Sequence, residues 1–199
     1  MNLYLLAAVA AFFLFQLRSR EQRQRIALLA EQLRRYQIEP LMERLTEGYQ
    51  RALAESDPGR RQLLWQQHGA SEQALADQVG RLANDFARLD AEQTRVSRLV
   101  LPYASRWWPQ SSFDFRQLLA LHARGLAEAA SQELPRSPQD RAYTLLAEML
   151  LLQHSCHWFC RSYPVASARL LARHKTRHDQ VLQAVSAATR AAYGQIVGH

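Results

Sequence analysis

The first seventeen residues, MNLYLLAAVAAFFLFQL, carry no charged side chain, and the chain then turns abruptly to RSREQRQR. Past that boundary apolar residues recur at helical spacing. Ile26, Leu29, Leu33 and Tyr36 stand at alternating three- and four-residue steps, and Leu41, Leu45, Tyr49 and Leu53 continue the stripe. The pattern predicts a long helix over residues 18–56, kinked at Pro40, whose ring removes an amide donor and clashes with the preceding turn. Ser56-Asp57-Pro58-Gly59 ends it. There Asp57 can cap a new helix, and Pro58 suits its first position.

Leu75, Val79, Leu82, Phe86, Leu89, Gln93, Val96 and Val100 then step alternately by four and three. This is a coiled-coil-like seam with a polar interruption at Gln93. The short break at Pro58 makes an antiparallel hairpin, 18–56 against 60–100, the simplest arrangement. The same seam would equally serve to pair two copies of the chain in a homo-oligomer.

LPYASRWWPQS, residues 101–111, holds two prolines and two adjacent tryptophans and reads as a boundary loop. A three-helix unit over 112–199 is expected beyond it. Its first helix is capped at Ser111 or Ser112, with Asp114 near its start, and runs to about Gln132. Its second opens with the capping pattern Ser137-Pro138-Gln139-Asp140 and ends at Pro164. Its third covers Val165 to Ile196. The chain therefore divides into an apolar segment (1–17), a helical hairpin (18–100), a loop (101–111) and a C-terminal unit (112–199).

Composition supports an all-α fold. Apolar residues make up 48% of the 199, enough to bury a core, and seven glycines and seven prolines punctuate few breaks. The apolar segment has three readings: membrane anchor, cleaved signal, or core helix. Asn2 to Leu17 spans about 24 Å as a helix, against a hydrocarbon core of roughly 30 Å, which snorkelling arginines and local thinning can accommodate. A signal peptide needs a basic start and small residues after its apolar run, whereas Phe-Leu-Phe-Gln-Leu-Arg follows here. An uncleaved anchor is the expectation, with the lipid bilayer contacting residues 2–17. Arg18, Arg20, Arg23 and Arg25, opposed by Glu21 alone, put the amino terminus outside and the remainder in the cytoplasm, as a single-pass plasma (inner) membrane protein. Both cysteines would then meet a reducing compartment.

Net charge is +7, and Lys175 is the only lysine. The positive charge is scattered among 18 acids, so it supports no nucleic-acid function by itself. One segment is denser. Arg161, Arg169, Arg173, Lys175 and Arg177 precede the first acid, Asp179. Arg169, Arg173 and Arg177 are candidate contacts for an acidic partner, lipid phosphate or RNA backbone, the ordinary alternative being a solvated face. Trp107 and Trp108 are candidate contacts for a partner or lipid interface, the alternative being burial under the boundary loop.

The stretch QHSCHWFC, from Gln153 to Cys160, holds two histidines and two cysteines. On a helix, Leu145, Met149, Leu152, Cys156, Phe159, Cys160 and Tyr163 share one face, which makes the cysteines small buried hydrophobes. An i,i+4 pair on a regular helix is too far apart for a disulfide. His154 and His157 share another face, and His174 and His178 in HKTRH stand at i,i+4. A hairpin about Pro164 would bring these four imidazoles together as a candidate site for zinc or another transition metal. HKTRH lacks the glutamate of HExxH, and no CxxC pair, Gly-rich phosphate loop, nucleophile elbow or paired-carboxylate arrangement is present. The expected function is a membrane-anchored interaction or scaffold protein binding another protein, without catalysis. A metal-binding or redox-sensing bundle and an anionic-surface binder are the alternatives.

Overall fold

The computed structural model describes residues 2–131 and 136–198. Helices α1 (Asn2–Leu33), α2 (Ile38–Ala54), α3 (Pro58–Gln66), α4 (Gly69–Ala87) and one-turn α5 (Ala91–Thr94) lead into strand β1 (Arg95–Ser97). One-turn α6 (Ala104–Trp107) and a 3-10 turn at Pro109–Ser111 precede β2 (Ser112–Asp114). Helices α7 (Phe115–Ala130), α8 (Pro138–Cys160), α9 (Tyr163–His174), α10 (His178–Ala184) and α11 (Ala187–Val197) complete an all-α protein.

Two of the expected helix starts form as their sequences dictate. Asp57 accepts the Arg60 amide at 2.7 Å with Pro58 at the head of α3, and Ser137 accepts the Asp140 amide at 3.1 Å ahead of Pro138. Asp114, rather than Ser111 or Ser112, caps α7 by accepting the Arg116 amide. That helix ends at Ala130, and its expected limit near Gln132 lies outside the described residues.

Pro40 does not kink a continuous helix. The chain breaks at residues 34–37 and restarts, placing Pro40 in the first turn of α2, where an amide has no intrahelical partner to lose. The expected third C-terminal helix is three pieces. Lys175 adopts a left-handed conformation (φ 54°) after α9, and Ser186 caps α11 by accepting the Thr189 amide.

The seam stays within the chain. Leu75, Val79, Leu82 and Phe86 are fully or almost fully buried, and α4 packs against α2 and more extensively against α7. Its helix stops at Ala87, so Gln93 is exposed, Val96 is buried in β1 and Val100 is exposed. β1 and β2 form a three-rung antiparallel ladder, Arg95 opposite Asp114, Val96 opposite Phe113 and Ser97 opposite Ser112. Only the middle rung turns inward, where the Phe113 ring meets Trp158 at 4.7 Å.

One apolar core runs from Leu29 to Val197, so the hairpin arms and the C-terminal helices share it. Phe115 stacks on Phe159 with ring centroids 4.5 Å apart, and Phe86 meets both rings edge-on. α8 is the central helix, in contact with α1, α2, α3, α7, α9 and α10. It is therefore buried on several faces and not along a single stripe. The first half of α1 is the opposite case. Its side chains from Leu3 to Leu17 are all exposed, and its apolar stretch has a mean hydropathy of 1.3 with none of it buried. It is one helix long and apolar enough to cross a membrane, and it is no part of the core.

Candidate functional site

Where α1 enters the bundle, three successive turns are tied to it. Arg18 Nη1 donates to the Val100 carbonyl at 3.2 Å. One turn on, Glu21 Oε2 accepts the Tyr103 amide at 2.9 Å, while its Oε1 pairs with Arg25 Nη2 at 2.7 Å. Arg25 also donates to the carbonyls of Phe159 (3.3 Å) and Arg95 (3.1 Å), and its guanidinium lies 5.8 Å from the centre of the Phe159 ring. Arg161 reaches Gln22 Oε1 at 2.7 Å. Charged groups half-removed from water thus satisfy backbone carbonyls of the loop and of α8, and the helix cannot pivot without breaking them.

A cleft opens between this part of α1 and the following loop, with Arg18, Arg98, Leu99, Arg161 and Ser162 among its lining residues. Ser162 is buried, and its Oγ has no hydrogen-bond partner among the described residues. Arg98 donates to the carbonyls of Val197 (2.6 Å) and Gln110 (3.3 Å), fastening the loop to the end of α11. Sequence reasoning counted Glu21 and Arg25 only as flanking charges and passed over Arg98. Glu21, the lone acid in RSREQRQR and four residues before Arg25, was the visible signal. The loop carbonyls that these side chains seek left no trace in the sequence.

Trp107 and Trp108 belong to the same loop, and neither is buried. Trp107 is 75% exposed and Trp108 44%. The expectation that one packs under the boundary loop while the other covers a helix end is corrected as to the burial; the buried residues of α6 are Ala104 and Ser105. On α9, Arg169 and Arg173 are exposed and enter no ion pair among the described residues, while Arg177 is bidentate with Asp179 beyond the helix.

The four histidines do not converge. His174 closes α9 and His178 opens α10, with the left-handed Lys175 between them, so HKTRH is a turn and not one helical face. His154 and His178 meet at a ring separation of 4.2 Å inside the bundle, whereas His157 and His174 remain partly exposed. No group of three or more His, Cys, Asp or Glu suited to a metal occurs among the described residues. The four-imidazole metal centre is thereby corrected.

The buried pair belongs instead to a polar seam joining α7 to α11. His154 Nε2 is 3.0 Å from Ser167 Oγ, His178 bridges the hydroxyls of Tyr163 (3.1 Å) and Tyr193 (3.2 Å), and His122 Nε2 is 2.8 Å from Ser155 Oγ. Burial holds both His122 and His154 down to about 3, with neighbouring imidazoles adding to the effect at His154, so both are neutral. Glu148 is buried alongside and pushed up to about 6 by desolvation, opposed by hydrogen bonds from Thr189 and Ser186. Gly125 permits this close approach, since a Cβ there would stand 2.5 Å from Glu148 Oε2.

The cysteines, expected as small buried hydrophobes, are packed against the core edge on the opposite side of α8 and are partly rather than wholly buried. Desolvation raises both thiols, Cys160 to about 11, which keeps them protonated and unreactive. No protein-family model matches this chain, and no curated protein and no solved structure is significantly similar to it.

Proposed function

We propose that the protein is a single-pass membrane-anchored scaffold whose helical bundle stands in the cytoplasm and binds another protein. The observation that carries this reading is the division of α1. Its apolar half is exposed with none of it buried, while its basic half is clasped by the bundle through Arg18, Glu21 and Arg25. A core helix would be covered. A cleaved signal would ordinarily be followed by an extended cleavage stretch, whereas α1 continues unbroken to Leu33. The four arginines after Leu17 favour the cytoplasmic side. A fluorescent reporter fused after His199 should glow, and a periplasm-dependent phosphatase at the same place should stay inactive. The opposite pair of results would refute the orientation.

The exposed face of α9 is the surface we assign to an acidic protein partner. Arg169 and Arg173 stand there beside exposed Val165 and Leu171. Co-purification from solubilised native membranes should be lost in R169E/R173E. A second reading, binding of lipid or nucleic-acid phosphate by the same unpaired arginines, would show itself as affinity falling steeply with salt.

A further inference from the structure

The membrane-exit end of the bundle carries an unusual concentration of apolar surface. Beyond residue 50, ten large apolar side chains are exposed among the described residues, and five of them fall between Leu99 and Trp108. They are Leu99, Val100, Leu101, Trp107 and Trp108, 42–75% exposed. Scattered apolar side chains are ordinary on a protein surface, but a contiguous patch marks a contact.

Register fixes where this patch sits. Arg25 binds the Arg95 carbonyl and Arg18 binds the Val100 carbonyl. The segment 95–100 therefore runs back along α1 toward its apolar half, over about 10 Å of helix. The ladder points the same way, with its Arg95/Asp114 rung near Arg25 and its Ser97/Ser112 rung leading into the loop. The Arg98 amide continues the pairing to the Ser111 carbonyl. Leu99 to Leu101 thus lie level with Arg18, the residue that follows the uncharged run.

Charge around this cleft is net positive, Arg18, Arg25, Arg98 and Arg161 against Glu21. Arg18, Arg98 and Arg161 donate there to neutral acceptors, the Val100, Val197 and Gln110 carbonyls and the Gln22 amide. Glu21 is already engaged by Arg25 and the Tyr103 amide. Among the described residues these three guanidinium groups enter no ion pair, and all three line the cleft.

We infer that the 98–108 loop is a second membrane contact that seats the bundle on a bilayer containing anionic phospholipid. Leu99, Val100 and Leu101 enter the interface, and Trp107 and Trp108 lie at headgroup level, where amphipathic rings are favoured. Arg18, Arg98 and Arg161 face the lipid phosphates. The inference rests on the anchor proposed above. It adds that the bundle does not swing on a tether but presents one fixed face to the membrane and leaves the others for partners.

The test uses the full chain reconstituted into vesicles of brominated-chain phosphatidylcholine, with and without phosphatidylglycerol. Trp107 and Trp108 are two of the four tryptophans, and Trp65 and Trp158 are buried. Bromine should quench up to about half of the emission, more strongly with phosphatidylglycerol present. W107F/W108F, which changes only exposed rings, should be unquenched. Equal fractional quenching in wild type and W107F/W108F, with the protein resisting alkaline extraction, would overturn the docking while leaving the anchor intact. Equal quenching in the two lipid mixtures would overturn the role of the arginines. Release of the protein by alkaline carbonate would refute the anchor, and the docking with it.

Discussion

Arg18 and Val100, 82 positions apart in sequence, are joined by a 3.2 Å hydrogen bond from guanidinium to carbonyl. Arg18 is the first charged residue of the chain, so this bond marks the level at which the apolar half of α1 leaves the bundle. With the Glu21 and Arg25 contacts above it, α1 becomes a rigid continuation of the body.

Glu21 is the centre of that fastening, with its side chain only 14% exposed. Glu21→Ala removes the acceptor of the Tyr103 amide and leaves Arg25 without its carboxylate. A loss of about 2 kcal/mol is expected, in the range of hydrogen bonds to charged groups. Denaturant unfolding measures the loss, and hydrogen exchange should accelerate across 98–108 before it does in α7 or α8.

A second buried charge holds the far side. Glu72, 1% exposed, accepts from the Tyr49 hydroxyl at 2.8 Å and from Arg141 Nε at 3.0 Å, linking α2, α4 and α8. Glu72→Ala strands a guanidinium and a hydroxyl and should cost about 3–5 kcal/mol, whereas replacing Glu72 and Arg141 together with apolar residues should cost less than the sum. A double-mutant cycle read by thermal unfolding decides this.

The histidine seam makes stability depend on pH. His122 and His154 are depressed to about 3 in the folded protein, so the unfolded chain takes up protons first. Their contribution is complete above about 6.5 and is lost as pH falls toward 3. Glu148, raised to about 6, acts in the opposite sense between about 4.5 and 6, because the folded state then holds the extra proton. For these three groups together the loss from pH 7.5 to 5.5 should be about 2 kcal/mol, steepening below pH 4.5. Urea unfolding across that range in detergent measures it, and H122F/H154L should flatten the curve.

Helix class was legible because apolar spacing and capping residues are local. Asp57-Pro58 and Ser137-Pro138 announced their helix starts, and the 2–17 run announced an element outside the core. The histidines were misplaced because periodicity was carried through Lys175, whose left-handed backbone nothing in HKTRH advertised. His122 went unnoticed as a lone polar residue in the apolar run of α7, and its partner Ser155 is 33 residues away. The α8 stripe misled for a related reason. A helix packed against six others has no single apolar face, so Cys156 lies at the edge and His154 inside. The fastening of α1 depends on loop carbonyls, which carry no side-chain signature.

An uncleaved anchor requires that residues 2–17 be retained in a membrane. Intact-mass measurement of the protein from alkaline-washed membranes tests it in one step. The mass of the whole chain is expected in the membrane pellet. A species shortened by the apolar segment, or full-length protein recovered only in the supernatant, would contradict it.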